Sequence, residues 1–392
     1  MRMYVVLSFF FISCSSAYQD KVIVPAINNL SYQIKLVDSL NVALGEFVYT
    51  SYSKHQIWED SLFFGLSPGA EPNTISVFDL ENEQFVKKIK IDRNFFKSDI
   101  SSFYVHNPDS IYFFSFQSKN IYLIDNNGDK VDEWEISFKD KNPFGEADFM
   151  FPTFVMYDSF YFDIKRNQLV CPIISQRFHE LTGDNDLPSI AILDLNKAEI
   201  IRTLAQPIGK MRERGNGFYP DDISVVQITV LDGIVYASYP IDPIIYKYEL
   251  ETGTLIGASK AYTDDKELKF IPPMAYDVKK DRSKSWNYRI ETPYFENLKY
   301  HSKSQIFSRI FHHQYELSGS VIDKGQFRTT TIFLFDKNLN LVGKEVVEDS
   351  KLGAFGSVST DDGYLSSSHD FYQKNENYLN HKYQYKIKST TL

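Results

Sequence analysis

Short apolar runs recur along the chain, and most of them end at an acidic residue that is followed by a polar turn. A second apolar run follows each turn within a few residues, which is typical of two antiparallel strands joined by a hairpin. The turns are rich in Asn and Gly, which adopt tight-turn conformations readily. The five clearest first runs are residues 75–79, 121–125, 190–194, 244–249 and 332–336. We therefore predict five hairpins of one design.

Each hairpin is preceded by another shared element, a polar turn that leads into an apolar strand. These turns occupy residues 59–61, 108–110, 166–168, 232–233 and 303–305. A sixth copy begins at residues 361–363, and residues 383–387 after it alternate polar and apolar side chains, as a half-buried strand does. Six copies of about four antiparallel strands each predict an all-β protein, a β-propeller of six blades.

The spacing of the repeats leaves the blade number open between six and seven. Asp79 and Asp125 end the first two hairpins and are 46 residues apart, close to the length of familiar propeller repeats, about 40–50 residues. Glu249 and Asp336 are 87 residues apart. Either long loops or a degenerate seventh blade therefore lies within residues 260–300.

A ring of blades must be closed, because an open ring would expose strand edges at both ends. Residues 32–37 alternate polar and apolar side chains, and this segment could pair with the last blade. We therefore predict a single propeller domain over residues 26–392.

The N-terminus has the parts of a secretory signal. Arg2 supplies a positive charge, and residues 4–12 form an apolar run that small residues follow. A run of nine residues is too short for a transmembrane helix, which needs about 20. Cys14 directly after Ser13 resembles the lipobox cysteine of bacterial lipoproteins, whose thiol is acylated before the signal is removed.

These features predict a lipoprotein signal peptide over residues 1–13, lipidation of Cys14 and a tether over residues 14–25. The lipid would hold the protein at a membrane of the bacterial cell envelope, on the periplasmic side or at the cell surface. An ordinary cleaved signal and a buried N-terminal strand are the alternatives.

The chain contains two cysteines, and the second is Cys171. Lipidation of Cys14 leaves it no disulfide partner, and its apolar surroundings in the sequence predict a buried thiol.

Composition and charge narrow the classes of partner. The chain contains 32 Phe and 26 Tyr, which suit half-buried strands. The formal net charge is −9, and acidic and basic residues are interspersed along the sequence. Nucleic-acid binding needs a concentrated positive surface, so we expect no nucleic-acid partner.

The lipobox-like start, the hairpins Val-Phe-Asp-Leu at 77–80 and Ile-Leu-Asp-Leu at 192–195, and the Tyr- and Phe-rich strands together carry a resemblance. The chain resembles the propeller-like lipoproteins of Bacteroidetes, in particular the uncharacterised domain-of-unknown-function 4221 family. The resemblance covers almost the whole chain. It implies a β-propeller in the cell envelope and brings no assigned activity.

No motif of a known catalytic or cofactor site occurs in the sequence, and we predict no cofactor and no metal site. Nucleophile elbows, phosphate-binding glycine loops and dinucleotide fingerprints are absent. His301, His312 and His313 form the densest histidine group, but adjacent strand residues point to opposite faces and cannot share one ion. Residues 125–129 and 184–186 resemble calcium loops superficially, and we interpret them as a hairpin turn and a solvated loop.

Two segments have the composition of binding loops. Residues 209–222 combine glycines, arginines and aromatic side chains, and residues 282–294 combine arginine with Trp and Tyr. Guanidinium groups and aromatic faces suit the recognition of carboxylates or sugars. The alternative is that both segments only cover blade edges. The candidate ligand-binding residues are Arg212, Arg214, Tyr219, Trp286 and Arg289.

The function that the sequence favours is ligand or protein binding, or scaffolding, by an envelope lipoprotein whose propeller loops are the binding surface. The partner would be an unidentified small molecule, glycan or protein, and the lipid would contact the membrane. The alternative is a hydrolase or lyase that acts on glycans or peptides, with a site at the propeller channel assembled from several blades.

Overall fold

The computed structural model describes most of the chain in separate stretches. These are residues 22–23, 31–43, 54–66, 73–96, 100–115, 119–145, 148–151, 160–175, 187–204, 219, 225–260, 271–275, 281–314, 329–347, 357–374 and 377–390. Across these stretches, no helix has the length and the apolar content that a membrane crossing requires.

The first two strands join blades that later parts of the chain form. They are β1 (Val22–Ile23) and β2 (Tyr32–Ala43). Blades 1 and 2 follow as four-stranded antiparallel sheets. Blade 1 contains, from the inside outwards, β3 (Lys54–Trp58), β4 (Leu62–Leu66), β5 (Thr74–Asp79) and β6 (Gln84–Lys90). Blade 2 contains β7 (Ile100–Asn107), β8 (Ser110–Ser115), β9 (Asn120–Ile124) and β10 (Lys130–Glu135).

Blade 3 has an additional outer strand and a small two-stranded sheet beside it. Its segment contains β11 (Ser137–Phe138), β12 (Phe149–Met150), β13 (Tyr161–Asp163), β14 (Gln168–Pro172), β15 (Ile174–Ser175), β16 (Ile190–Asp194) and β17 (Glu199–Leu204). Strands β13, β14, β16 and β17 form the antiparallel sheet, and β11 pairs with the outer edge of β17 in parallel. Strands β12 and β15 pair with each other.

Blades 4 and 5 are separated along the chain by a short helix. Blade 4 contains β18 (Gln227–Leu231), β19 (Ile234–Ser238), β20 (Ile244–Glu249) and β21 (Leu255–Lys260). Helix α1 (Arg282–Glu291) precedes blade 5, which contains β22 (Tyr294–His301), β23 (Ile306–His312), β24 (Thr330–Phe335) and β25 (Leu341–Val347). Strand β1 adds to the outer edge of blade 4 and runs parallel to β21.

Blade 6 closes the ring with strands from both ends of the chain. It contains β26 (Ser357–Thr360), β27 (Gly363–Lys374), β28 (Asn377–Ser389) and, as its outer strand, β2. The pairing of β2 with β28 is antiparallel and extends from Tyr32 opposite Ser389 to Ala43 opposite Leu379. Strand β26 lies against β3 of blade 1. The predicted closure by residues 32–37 is confirmed, since these residues lie in β2.

The six sheets form a ring, so the fold is the predicted six-bladed β-propeller. Among the described residues of the long interval between Glu249 and Asp336, no seventh blade occurs. Its described residues form β21, helix α1 and the first strands of blade 5.

The innermost strands run side by side in one direction. Gln56 Nε2 donates to Val105 O at 2.8 Å, and Val105 N donates to Gln56 Oε1 at 2.7 Å. Further along both strands, Trp58 Nε1 donates to His106 O at 3.3 Å, so β3 and β7 run in the same direction. The last residues of β22 and β26 are also joined, by a hydrogen bond between His301 and Thr360. All inner strands therefore begin at one face of the ring, which we call the loop face, and end at the other, which we call the hairpin face.

Turns of a few residues join each inner strand to the next strand at the hairpin face. The turn between β18 and β19 shows why the sequence forms them. Asp232 and Gly233 have φ values of 50° and 76°, the left-handed conformations of the two-residue turn that matches strand twist. The connections between blades, in contrast, start and end at the loop face, where Tyr219 and helix α1 lie.

Aromatic side chains fill the spaces between blades. Phe114 of blade 2 stacks on Phe160 beside blade 3 with ring centroids 4.4 Å apart. Phe113 and Tyr122 of blade 2 stack on each other at 5.0 Å, within the cluster that blade 2 shares with blade 1. Each fully buried side chain of this size contributes roughly 2–3 kcal/mol of hydrophobic free energy. The high Phe and Tyr content therefore stabilises the contacts between sheets.

Candidate functional site

The repeated acidic residues of the hairpin face bind backbone amides within their own turns. Asp79 Oδ1 accepts hydrogen bonds from Glu81 N and Asn82 N, both at 2.9 Å. Asp336 Oδ1 accepts from Asn338 N and Asn340 N at the same distance. The hydrogen bond from the backbone amide of Asn82 favours the ionised carboxylate and lowers the pKa of Asp79. These acids therefore shape turns, which is why they recur in the sequence.

One described residue from each predicted binding segment, Tyr219 and Tyr288, bonds to a shared stretch of backbone at the loop face. The Tyr219 hydroxyl donates to Ile271 O at 3.4 Å, and the Tyr288 hydroxyl donates to the next carbonyl, Pro272 O. Tyr219 belongs to the hydrophobic cluster between blades 3 and 4, and Tyr288 packs against that cluster. Burial is the main cause that raises the pKa of Tyr288, and the nearby Tyr219 side chain raises it further. The segment around residue 271 thus links the end of the first predicted loop to helix α1.

Helix α1 is fixed at both ends by side-chain caps. Asp281 Oδ1 accepts from Ser283 N at 3.1 Å and from Lys284 N at 3.3 Å, satisfying amides that the helix leaves unbonded. At the other end, Thr292 N and Thr292 Oγ1 both donate to Tyr288 O, at 2.9 and 2.6 Å. The hydrogen bond from the Ser283 side chain lowers the pKa of Asp281. The helix is therefore a defined element directly before the inner strand of blade 5.

The candidate binding residues occupy different positions relative to this arrangement. Tyr219 is 7% exposed, so most of its ring packs in the core and its hydroxyl is bonded. Arg289 lies half-buried in the last turn of α1. Trp286 lies in the same helix, and its side chain is outside the described part of the structure. Arg212 and Arg214 are also outside the described residues, as is the predicted lipidation site Cys14.

Arg309 is a buried cation that the sequence analysis did not single out. It lies in the apolar strand β23, and its guanidinium carbon is 3.8 Å from the centroid of the Phe295 ring. Its Nη2 donates to Tyr239 O at 2.9 Å and to Asp242 O at 2.6 Å. Arg309 therefore joins blade 5 to blade 4. A charged residue within a mostly apolar strand was the available signal, because such a residue must find buried partners.

The histidines for which a metal site was considered bond to separate protein groups. His312 Nε2 pairs with Glu296 in the interior of blade 5, and the Tyr294 ring lies 4.8 Å from the His312 ring. His313 Nε2 lies 2.7 Å from Thr331 Oγ1. Across the described stretches, no group of three or more His, Cys, Asp or Glu side chains is arranged to hold a metal ion.

His301 belongs to a hydrogen-bonded chain between blades 5 and 6. Its Nδ1 lies 2.7 Å from Thr360 O, and its Nε2 lies 2.6 Å from Ser308 Oγ, which also bonds to the Tyr364 hydroxyl. A carbonyl can only accept, so Nδ1 donates and Nε2 accepts from Ser308. The His301 side chain and Ser308 are completely buried, so this serine–histidine contact within blade 5 is closed to substrate. The bonds to Thr360 and Tyr364 join it to blade 6. Burial lowers the pKa of His301 to about 4.

Cys171 lies in β14 with no exposed surface. Burial raises the pKa of its thiol, so the group stays protonated and inert near neutral pH. The prediction of a buried thiol agrees with this environment.

Comparisons with solved structures identify the same architecture in other proteins. A protein of the DUF4221 family from Bacteroides vulgatus superimposes with a TM-score of 0.68 and 14% sequence identity, over 93% of this chain and 100% of its own. A Bacteroides fragilis protein, whose name proposes that it is exported, superimposes with a TM-score of 0.51 and 12% identity, over 95% and 99%. At these identities, the likeness shows the shared fold.

A comparison with curated proteins finds no match. The sequence profile of the family described as "Domain of unknown function (DUF4221)" matches residues 29–345, from just before β2 to within β25. This match covers most of the propeller and agrees with the resemblance carried by the hairpin motifs. The chain therefore belongs to the DUF4221 family.

Proposed function

We propose that this protein is a lipid-anchored protein of the bacterial cell envelope that binds a ligand or protein partner at the loop face of its propeller. The observation that carries the proposal is the link between Tyr219 and Tyr288 through the neighbouring carbonyls of Ile271 and Pro272. One residue from each of the two segments with the composition of binding loops thereby reaches the same place on the ring. The exported name of the Bacteroides fragilis neighbour supports an envelope location.

Chain length limits how far the two arginines of the first segment extend from this place. Arg214 and Arg212 precede Tyr219 by five and seven positions. A fully extended chain advances at most about 3.6 Å per residue, so both lie within about 25 Å of the Tyr219 backbone. Helix α1 holds Trp286 and Arg289 beside the same link. The combined chemistry, several guanidinium groups with aromatic rings, suits a ligand that carries carboxylate or sugar groups.

Site-specific photo-crosslinking in living cells tests the use of this face. A photoreactive amino acid replaces Asn287, an exposed residue of α1, or Glu251, an exposed residue of a blade 4 turn on the hairpin face. We expect a discrete adduct from position 287 that Arg212→Ala and Arg214→Ala weaken, and none from position 251. Adducts from position 251 alone would contradict the proposal.

A glycan or small-molecule ligand requires a second measurement. Protein lacking the first 19 residues is screened against arrays of acidic and neutral oligosaccharides, and hits are measured by calorimetry. Losing one guanidinium–carboxylate hydrogen bond costs about 1.5–3 kcal/mol, so Arg212→Ala should weaken binding about 10- to 100-fold. Lys165→Ala on the hairpin face is the matched control and should leave affinity unchanged. Turnover of a bound glycan would instead indicate the alternative hydrolase or lyase.

A further inference from the structure

Strand β1 attaches the chain that follows Cys14 to one blade. Val22 lies opposite Ala258 and Ile23 lies opposite Ser259, in a parallel pairing at the outer edge of blade 4. Strand pairing fixes the direction of the chain as well as its position. The tether predicted from the sequence therefore ends in a strand that is part of a blade.

The direction of β1 follows from that of β21. Strand β21 begins after the blade 4 turn at residues 250–254, on the hairpin face, and runs toward the loop face. A parallel strand runs the same way, so the chain enters β1 from the side of the hairpin face. Val22 follows Cys14 by eight positions, and eight extended residues span at most about 29 Å.

From these relations, and on the proposed lipidation of Cys14, we propose that the propeller is held with its hairpin face toward the membrane and its loop face away from it. A short tether that leaves blade 4 toward the hairpin face keeps that side of the ring near the lipid. The loop face then points away from the membrane, into the compartment that the domain occupies, where the binding surface proposed above is accessible to partners.

One exposed apolar side chain on the hairpin face agrees with this orientation. Ile164 lies in the turn after the inner strand of blade 3 and is 67% exposed. Lys165 and Arg166 follow it and are also exposed. An apolar tip beside basic residues is a combination that favours the boundary between water and lipid headgroups.

Fluorescence quenching on vesicles tests the orientation. The full-length lipidated protein is reconstituted into phosphatidylcholine vesicles that contain a lipid with a nitroxide headgroup. A fluorophore is attached to Lys165→Cys on the hairpin face or to Asn287→Cys in α1, since Cys171 is buried and does not react with a polar label. We expect several-fold stronger quenching at position 165 than at position 287. Equal quenching, or stronger quenching at position 287, would overturn the proposal.

Two controls test separately the lipid anchor and the short tether on which the proposed orientation depends. Flotation of the vesicles shows first whether the wild-type protein binds and the Cys14→Ala variant does not, and failure at this step rejects lipid anchoring itself. Inserting about 20 Gly and Ser residues between Ala17 and Tyr18 gives a flexible tether that should abolish the difference between the two labels. If the difference persists in full with the long tether, the short connection to β1 does not set the orientation.

Discussion

Lys303 donates to Asp60 across the ring, with 2.7 Å between Lys303 Nζ and Asp60 Oδ2, although the two residues are 243 positions apart in sequence. Asp60 also accepts a hydrogen bond from Asp361 N at 2.8 Å. The inner turns of blades 1, 5 and 6 are thereby joined at the hairpin face. This contact reinforces the closure that β2 provides at the outer edge of blade 6.

Replacement of Asp60 by Ala is expected to lower the free energy of unfolding by about 1–2 kcal/mol, chiefly because the Asp361 amide loses its acceptor. Lys303→Ala should cost less, under about 1 kcal/mol, since the lysine side chain is largely exposed and surface ion pairs contribute little. Urea denaturation of both variants measures the difference. An equal or larger effect of Lys303→Ala would show that the ion pair matters more than the amide bond.

The depressed pKa of His301 predicts a loss of stability in acid. The pKa is about 4 in the folded protein and near 6.5 in an unfolded chain, so the unfolded state binds more protons between these values. The contribution of neutral His301 is complete above about pH 6.5 and is lost as the pH falls toward 4. The loss amounts to at most about 3 kcal/mol.

Thermal unfolding between pH 7.5 and pH 4 measures this effect. His301→Gln cannot be protonated, and we expect it to be less stable than the wild type at pH 7.5 but less sensitive to acid. A wild-type protein and a variant with the same decrease in Tm over this range would contradict the assignment to His301.

The turn acids are expected to contribute to stability rather than to binding. Asp336→Ala removes the acceptor for Asn338 N and Asn340 N, and we expect a loss of about 1–2 kcal/mol. Asp140, an exposed aspartate outside the repeated turns, provides the control, and Asp140→Ala should change stability by under about 0.5 kcal/mol. Similar small effects of both substitutions in urea denaturation would refute the structural role of the repeat acid.

Gly343 allows the start of β2 to approach blade 5. A Cβ at this position would lie 2.5 Å from Tyr32 O and 2.9 Å from Leu334 Cδ1, both closer than van der Waals contact permits. Gly343→Ala should therefore destabilise the protein by about 1–3 kcal/mol. Gly257→Ala is the matched control in a strand, because its new Cβ would make only an ordinary 3.9 Å contact with Lys247. Equal stability of the two variants would show that the approach adjusts freely.

Lipidation of Cys14 predicts how the protein partitions between phases. The wild type should enter the detergent phase and incorporate labelled fatty acid, and Cys14→Ala should do neither. Cys171→Ala leaves the proposed anchor in place and should behave as the wild type. Membrane association of the Cys14→Ala variant at the wild-type level would exclude the lipid as the anchor.

Several parts of the fold could be predicted from the sequence because they depend on local patterns. The aspartates that end four of the five first hairpin strands bond to amides two to four residues later, so the signal and its cause lie in one short segment. The alternation of residues 32–37 also identified β2, although of these residues only Ile34 is buried and Leu36 and Val37 are exposed. The candidate site was located only as two segments, and Tyr219 is now known to be mostly buried.

The amino-acid sequence by itself determined the strands, the turns, the blade repeat and the closing segment, because each is encoded by neighbouring residues with a local pattern. Only the tertiary structure decided which distant groups meet: Lys303 with Asp60, Arg309 with the carbonyls of blade 4, and β1 with the edge of β21. These contacts depend on how the blades pack around the ring. The partners are far apart along the chain and share no local pattern, so the sequence contains no periodic signal for them.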